Sequence, residues 1–383
     1  MRGHAERLNG LGTTIFAEMS ALAVATGSVN LGQGFPDTDG PDSLLEDAIA
    51  AIRAGANQYP PGRGIPALRQ AIADHQKRFY DLSYDPDTQV LVTTGATEAI
   101  AAALLAFVEP GDEVIALEPY YDSYAAGIAF AGGRRVPVTL RAPSYRLDLD
   151  ELRAAVTPRT KVLLINTPHN PTGTVLTDPE LRGIRDLAVE HDLVVITDEV
   201  YEHLVYDDHR HIPLATYDGM ADRTVSIGSA GKTFSVTGWK IGWVTGSPEV
   251  VTAVTTAKQF LTYVSGSPFQ PAVANALALG NDYFDEVRRT LQSRRDLLAD
   301  GLAALGFEVH RPAGTYFVTT DIRPLGHTDG IDFCRLLPDR TGVVAIPTQV
   351  FYDNKEAGRP LVRWAFCKKE ELLQEALTRL QKL

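Results

Sequence analysis

Residues 161–199 read KVLLINTPHNPTGTVLTDPELRGIRDLAVEHDLVVITDE, and the fold class turns on them. Two short apolar runs, KVLLINTP at 161–168 and LVVITDE at 193–199, lack the polar alternation of a strand with one wet face. A helical stretch separates them, so the two strands are expected to lie in a parallel sheet covered on both faces. The pattern extends in both directions. QVLVTTG (89–95), EVIALEP (113–119), RRVPV (134–138), RTVSIGS (223–229) and IGWVTG (241–246) are further runs of the same kind between helical stretches. The expected class is α/β, with a mostly parallel seven-stranded sheet sandwiched by helices.

Outside this block the pattern changes. A long helix over Phe284–Ala304, mixed strands and a closing amphipathic helix, KKEELLQEALTRLQKL, predict a smaller α+β domain. The expected division is an N-terminal segment, 1–42, packing with the small domain, a large domain at 43–275 and the small domain at 276–383. A helix is expected to open at a capping box of Ser43 and Glu46, carry the stripe Leu44, Leu45, Ala48, Ile49 and Ile52, and stop at Gly55.

Composition removes several function classes. With 44% hydrophobic and 22% charged residues, 383 residues suffice for two packed domains. The net charge of −12 disfavours general nucleic-acid binding, and no helix-turn-helix segment or basic extension is present. Cys334 and Cys367 have no CxxC or metal-like spacing, so neither a disulfide scaffold nor a metal site is expected. The N-terminus lacks a signal-like apolar core, and the longest apolar run, near Ala99–Val108, is about half a membrane span. A cytoplasmic protein without membrane contact is the expectation.

Ligands of open parallel sheets bind beyond the carboxyl ends of the strands, so the residues following each run are the candidate site. They are Gly95-Ala96-Thr97, Tyr121, Asn170-Pro171-Thr172-Gly173, Asp198 with Tyr201, and Ser229-Ala230-Gly231-Lys232. Gly95 opens a helix, whose N-terminal N–H groups stabilise a phosphate. Asp198 emerges from an apolar strand and needs a partner, either as a helix cap or as counter-ion to a protonated ring nitrogen. Lys232 sits in GKT, the end of a P-loop. That motif requires a glycine at 226, which is Ser226, and Gly228 would leave the loop two residues short. The set suits instead a charged aromatic cofactor with a phosphate tail.

These residues resemble the class I aminotransferases, the fold-type I pyridoxal-phosphate (PLP) enzymes. The matching features are GATEA at 95–99, NPTG at 170–173, DEVY at 198–201, SAGK at 229–232 with Lys240, Arg363 in LVRWAF, NLGQGFPD at 30–37 and NQYPPGRG at 57–64. GQGFPD and GWKIGW are similar to the kynurenine/glutamine, methionine and N-succinyldiaminopimelate aminotransferase branch. The last type matches best, in TTIFAEMSALA, DEVYEHLVYD and GSPFQPAVA.

The resemblance implies that Lys232 carries PLP as a Schiff base and Asp198 pairs with its ring nitrogen. It implies that Tyr201 and Asn170 bond the ring oxygen and Tyr121 stacks on the ring. Gly95, Ala96, Thr97, Ser229 and Lys240 would form the phosphate site, completed by Tyr59 of the other copy in a homodimer. Lys240 stands where the family often has arginine. Arg363, with Gly34, would hold the substrate carboxylate, and Phe16 and Tyr263 would touch its side chain. The implied reaction is ping-pong transfer from an amino acid, N-succinyl-LL-2,6-diaminopimelate, to 2-oxoglutarate. A methionine, aromatic or kynurenine aminotransferase and a cysteine-conjugate β-lyase are the alternatives. Arg63, near Tyr59, is a candidate for the donor's distal carboxylate, against a solvated arginine.

Overall fold

The computed structural model describes residues 5–9, 12 and 14–383; the opening MRGH and Thr13, which starts the TTIFAEMSALA stretch, lie outside them. Strand β1 (Val29–Asn30) pairs outside the main sheet. The seven runs form β2 (Val90–Thr94), β3 (Glu113–Glu118), β4 (Arg134–Thr139), β5 (Thr160–Asn166), β6 (Val194–Asp198), β7 (Thr224–Ser229) and β8 (Ile241–Thr245). They lie side by side in the order β2-β8-β7-β6-β5-β3-β4. Pairing is parallel except at β8, which runs against both β2 and β7.

Side chains alternate across this sheet and sort into separate cores. Val114, Ala116, Val162 and Leu164 pack with Ala99, Ala103 and Leu104 of the helix Gly95–Phe107. Their neighbours Ile115, Leu117, Leu163 and Ile165 pack with Leu181, Ile184 and Leu187 of the helix Asp178–Glu190. Burying one such aliphatic side chain contributes roughly 1.5–3 kcal/mol. Both faces demand apolar residues, which is why the runs show no alternation.

The remaining strands are β9 (Glu308–His310), β10 (Phe317–Asp321), β11 (Val343–Val344), β12 (Ile346–Pro347) and β13 (Leu361–Ala365). An antiparallel sheet has the order β12-β13-β10-β9, while β11 pairs in parallel with β1. The helix Ile15–Thr26 packs against Gly330–Thr341, where Arg335 meets Glu18 at 2.9 Å. The long helix spans Asn281–Ala304, starting before the expected Phe284, and the closing helix covers Glu370–Leu380. Among the described residues no helix is long and apolar enough to cross a membrane.

One local expectation fails. The helix Asp42–Arg53 starts ahead of Ser43, its N-cap is Pro41, and no side chain caps it. Only Leu44 and Ala48 of its stripe are buried; Ile49 and Ile52 are 39% and 46% exposed. Ser43 falls inside the first turn, where its hydroxyl cannot reach a free N–H ahead of it. A capping box does form at Thr177 and Glu180, where the Thr177 N–H donates to Glu180 Oε2 at 2.7 Å.

Gly242 on β8 seats the helix Gly95–Phe107 on the sheet. A Cβ at Gly242 would lie 2.7 Å from the Gly95 carbonyl carbon and 2.9 Å from the Ala96 nitrogen. Gly242→Ala should therefore cost about 1–3 kcal/mol in urea unfolding. Gly238→Ala, whose methyl would meet nothing within 4 Å, should stay within about 0.5 kcal/mol of the parent. Equal stabilities for the two variants would contradict this seating.

Candidate active site

The sheet topology brings the candidate residues to one edge. Six strands end there, and β8 begins there because it runs the other way. Asn166 is level with Asp198, Ser229 with Gly242, and Thr94 with Ile241, which follows Lys240. Beyond this edge lies a cavity of about 490 Å³. Every predicted site residue lines it except Tyr59 and Tyr263. Those two tyrosines pair edge to face, ring centroids 5.7 Å apart, and are 82% and 51% exposed. Arg63 is also elsewhere: it clamps a loop by donating to the carbonyls of Asp87 (2.6 Å) and Thr88 (3.1 Å).

Lys232 leaves β7 on a single helical turn, Ala230–Thr233. Its Nζ donates to Tyr316 Oη at 2.9 Å, and Tyr316 donates in turn to the Gly34 carbonyl at 2.6 Å. Burial pushes the ammonium pKa down to about 8; Lys240 and Arg363 act the same way, against Asp198. Asp198 ends β6 with its carboxylate accepting from Tyr124 Oη (2.5 Å) and the Val200 N–H (3.3 Å). Burial nevertheless raises its pKa to about 6, because two neutral donors do not replace water around a charge. Asn166 braces the neighbouring turn, donating to the Asp198 carbonyl at 2.8 Å and accepting from the Asn170 N–H at 2.7 Å.

Arg363, in the middle of the small sheet, is 1% exposed. One Nη donates to Asn170 Oδ1 (3.1 Å), the other to the Gly32 carbonyl (2.8 Å), and among the described residues Nε has no partner. The guanidinium lies 4.0 Å from the Phe317 ring centroid and 5.1 Å from that of Phe16. Burial lowers its pKa to about 10. Among the described residues no carboxylate pairs with it at ion-pair distance. A buried cation with a spare donor is a receptor for an anion.

Gly95 has φ +70°, and Lys240 Nζ would lie 3.3 Å from a Cβ placed there. The helix N-terminus and the ammonium thus face one small space, with Thr97 Oγ1 3.5 Å from Lys240 Nζ. This is an anion cradle built from N–H groups and a cation.

Sequence reading missed Tyr124, Tyr316, Asp122 and Phe317, all of which line the cavity or touch its key groups, and gave no role to Asn166 at the end of its run. Tyr124 was within reach, being one helical turn beyond Tyr121 in YYDSY. Tyr316 carried no local signal, since 84 residues separate it from Lys232.

The family described as aminotransferase class I and II matches residues 26–380. This chain belongs to that family. The probable N-succinyldiaminopimelate aminotransferase DapC of Mycobacterium tuberculosis is 54% identical, over 98% of each chain. The methionine aminotransferase of Escherichia coli is 38% identical, over 98% of this chain and 97% of its own. The solved N-succinyldiaminopimelate aminotransferase from Mycobacterium tuberculosis superposes with a TM-score of 0.97 at 55% identity, covering 99% of each chain. The protein is a PLP-dependent aminotransferase. Its cavity fits the cofactor: the cradle at Gly95 suits a phosphate, the buried Asp198 a protonated ring nitrogen, and Lys232 an aldehyde carbon.

Lys232→Ala should abolish transamination together with the visible absorption of the bound cofactor. Normal turnover by that variant would refute the role of the lysine. In the cofactor-free protein, Asp198 holds its proton more tightly folded than unfolded. It therefore stabilises the fold below about pH 4, and this contribution is lost as pH rises through about 6. Asp198→Asn should flatten the stability–pH curve over that window by ~3 kcal/mol, read from urea midpoints. A variant curve with the parent's slope would contradict it.

Proposed function

We propose that this aminotransferase moves the amino group of N-succinyl-LL-2,6-diaminopimelate to 2-oxoglutarate, in diaminopimelate and lysine biosynthesis. The donor rests on the full-length likeness to the mycobacterial relative, against 38% for the methionine enzyme. The observation that carries the chemistry is Arg363, a buried guanidinium with no ion-pair partner among the described residues, in one cavity with Lys232 and Asp198.

PLP, when bound, supplies an electron-withdrawing ring that spreads the charge developing at the donor's Cα. The chain's side chains do the rest. Gly95, the N–H groups of Ala96 and Thr97, Ser229 and Lys240 would hold the phosphate. Asp198 would keep the ring nitrogen protonated, Tyr201 and Asn170 would bond the ring oxygen, and Tyr121 would cover the ring. Arg363 and the backbone at Gly34 would grip the donor's α-carboxylate through a planar fork, fixing the Cα–H bond relative to Lys232. Lys232 Nζ, whose affinity for a proton burial lowers, would take that proton and return it. Phe16 would border the donor's side chain.

The proposed enzyme is a cytoplasmic homodimer. Exposed Tyr59, Phe260 and Tyr263 support this, since such aromatic surface is costly in water. In that assembly Tyr59 would reach the neighbouring copy's phosphate, and Tyr263 would lie at its substrate side. The proposed domains are 43–275 and 276–383, with 1–42 joining the latter through the β1–β11 pair.

A donor panel against 2-oxoglutarate, read as glutamate formed, tests the substrate. The succinylated diaminopimelate should give the highest kcat/KM; a higher value for methionine or kynurenine would displace it. Pyruvate and ammonia from a cysteine conjugate would instead reveal β-lysis. Arg363→Lys keeps the charge and loses the fork. Its kcat/KM should fall on the order of 100-fold for every donor, with the cofactor's absorption unchanged.

A further inference from the structure

Outside the active-site cavity, two histidines and a carboxylate converge in the interior. His75 lies on the helix Pro66–Tyr80, and Glu202 and His203 follow Tyr201 in the turn after β6. His75 is 2% exposed and Glu202 5%. The Nε2 atoms of the two imidazoles are 2.7 Å apart, and one ligand atom of each of the three residues lies within 4.8 Å of the others. Glu202 Oε2 is buried and makes no hydrogen bond among the described residues.

Protein groups alone satisfy this cluster poorly. Two imidazoles can share one N–H between them, and although Tyr80 and Gln76 lie beside the Glu202 carboxylate, its Oε2 is left unbonded. An Nε2–Nε2 contact of 2.7 Å requires one ring nitrogen to accept, so the pair presents a lone pair toward the shared space. Arg78 is committed elsewhere, to Asn281 and to the Leu279 carbonyl at 2.7 Å. The walls are aromatic and hold the rings in place: Phe79 lies 4.8 Å from His75 and 4.7 Å from His203, and Phe284 lies 4.4 Å from His203.

We propose that His75, Glu202 and His203 form a binding site for a divalent transition-metal ion of the zinc class. Two imidazole nitrogens and one carboxylate oxygen are a ligand set this ion accepts, with one position left for water. Parting the rings from 2.7 Å to roughly 3.3 Å would give Zn–N bonds of about 2.0–2.1 Å. The ion would then fasten the helix Pro66–Tyr80 to the turn that carries Asp198 and Tyr201. The expectation of no metal came from cysteine spacing; His75 and His203, 128 residues apart, make no local motif.

The test uses tag-free holoenzyme freed of metal by chelation and dialysis. Zinc chloride, titrated in a calorimeter, should bind at one tight site per chain and raise the melting temperature. His75→Gln and His203→Gln should each weaken that binding on the order of 100-fold. Cobalt(II) added to the unmutated protein should give intense tetrahedral bands at wavelengths beyond the cofactor's own. The cobalt spectrum decides alone if the variants do not fold. A pale octahedral spectrum, no binding, or unchanged affinity in folded variants overturns the site.

Discussion

Three ionisable side chains, Lys232, Asp198 and Arg363, line one cavity and are each largely withdrawn from bulk solvent, and the rest of the site answers to that constraint. Each has its pKa displaced toward the neutral form, chiefly by burial. Their partners inside the chain are phenols, an amide and backbone groups. Tyr316 accepts from the lysine, Tyr124 donates to the carboxylate, and Asn170 and the Gly32 carbonyl accept from the guanidinium. Such partners fix direction without cancelling charge. The cavity is thus prepared for a guest that brings complementary charge, as the proposed roles require.

The sheet makes this arrangement possible at modest cost. Its interior strands are buried on both faces, so polar groups can emerge only at strand ends. The reversed strand β8 adds a cation to an edge where the other strands end, because its start, with Lys240, coincides with their finish. The close approach of Gly242 to Gly95 and Ala96 then brings the helix N-terminus to the same place. The anion cradle proposed for the phosphate therefore rests on a contact between two strands' ends and one helix.

Much of this was legible in the sequence, and the failures have physical causes. The seven runs announced the sheet because double burial requires unbroken apolar character. Asp198, Lys232 and Asn170 were legible because they follow those runs directly. The Ser43–Glu46 pair misled because its four-residue pattern also occurs within a first helical turn, whereas Thr177 and Glu180 sit where the chain enters a helix. Tyr316 and Phe317 escaped because they stand just before and at the start of β10, in the other sheet, and acquire meaning only when that sheet packs against the turn holding Tyr201. Tyr59 and Tyr263, implied by resemblance, stand apart from their own chain's cavity and meet each other on the surface.

Lys232, then, was singled out by sequence alone. The spacing of its glycines excluded a nucleotide loop, and its position after an apolar strand placed it at a ligand-binding edge. Local sequence can determine this much because strand burial and strand-end chemistry are written in neighbouring residues. What only the tertiary structure decided is how the lysine is held: through Tyr316 to the carbonyl of Gly34, and beside a guanidinium delivered from residue 363. Those contacts join segments 84 and 282 residues apart in the chain, and desolvation, which shifts the titration of each group, exists only once they have packed together.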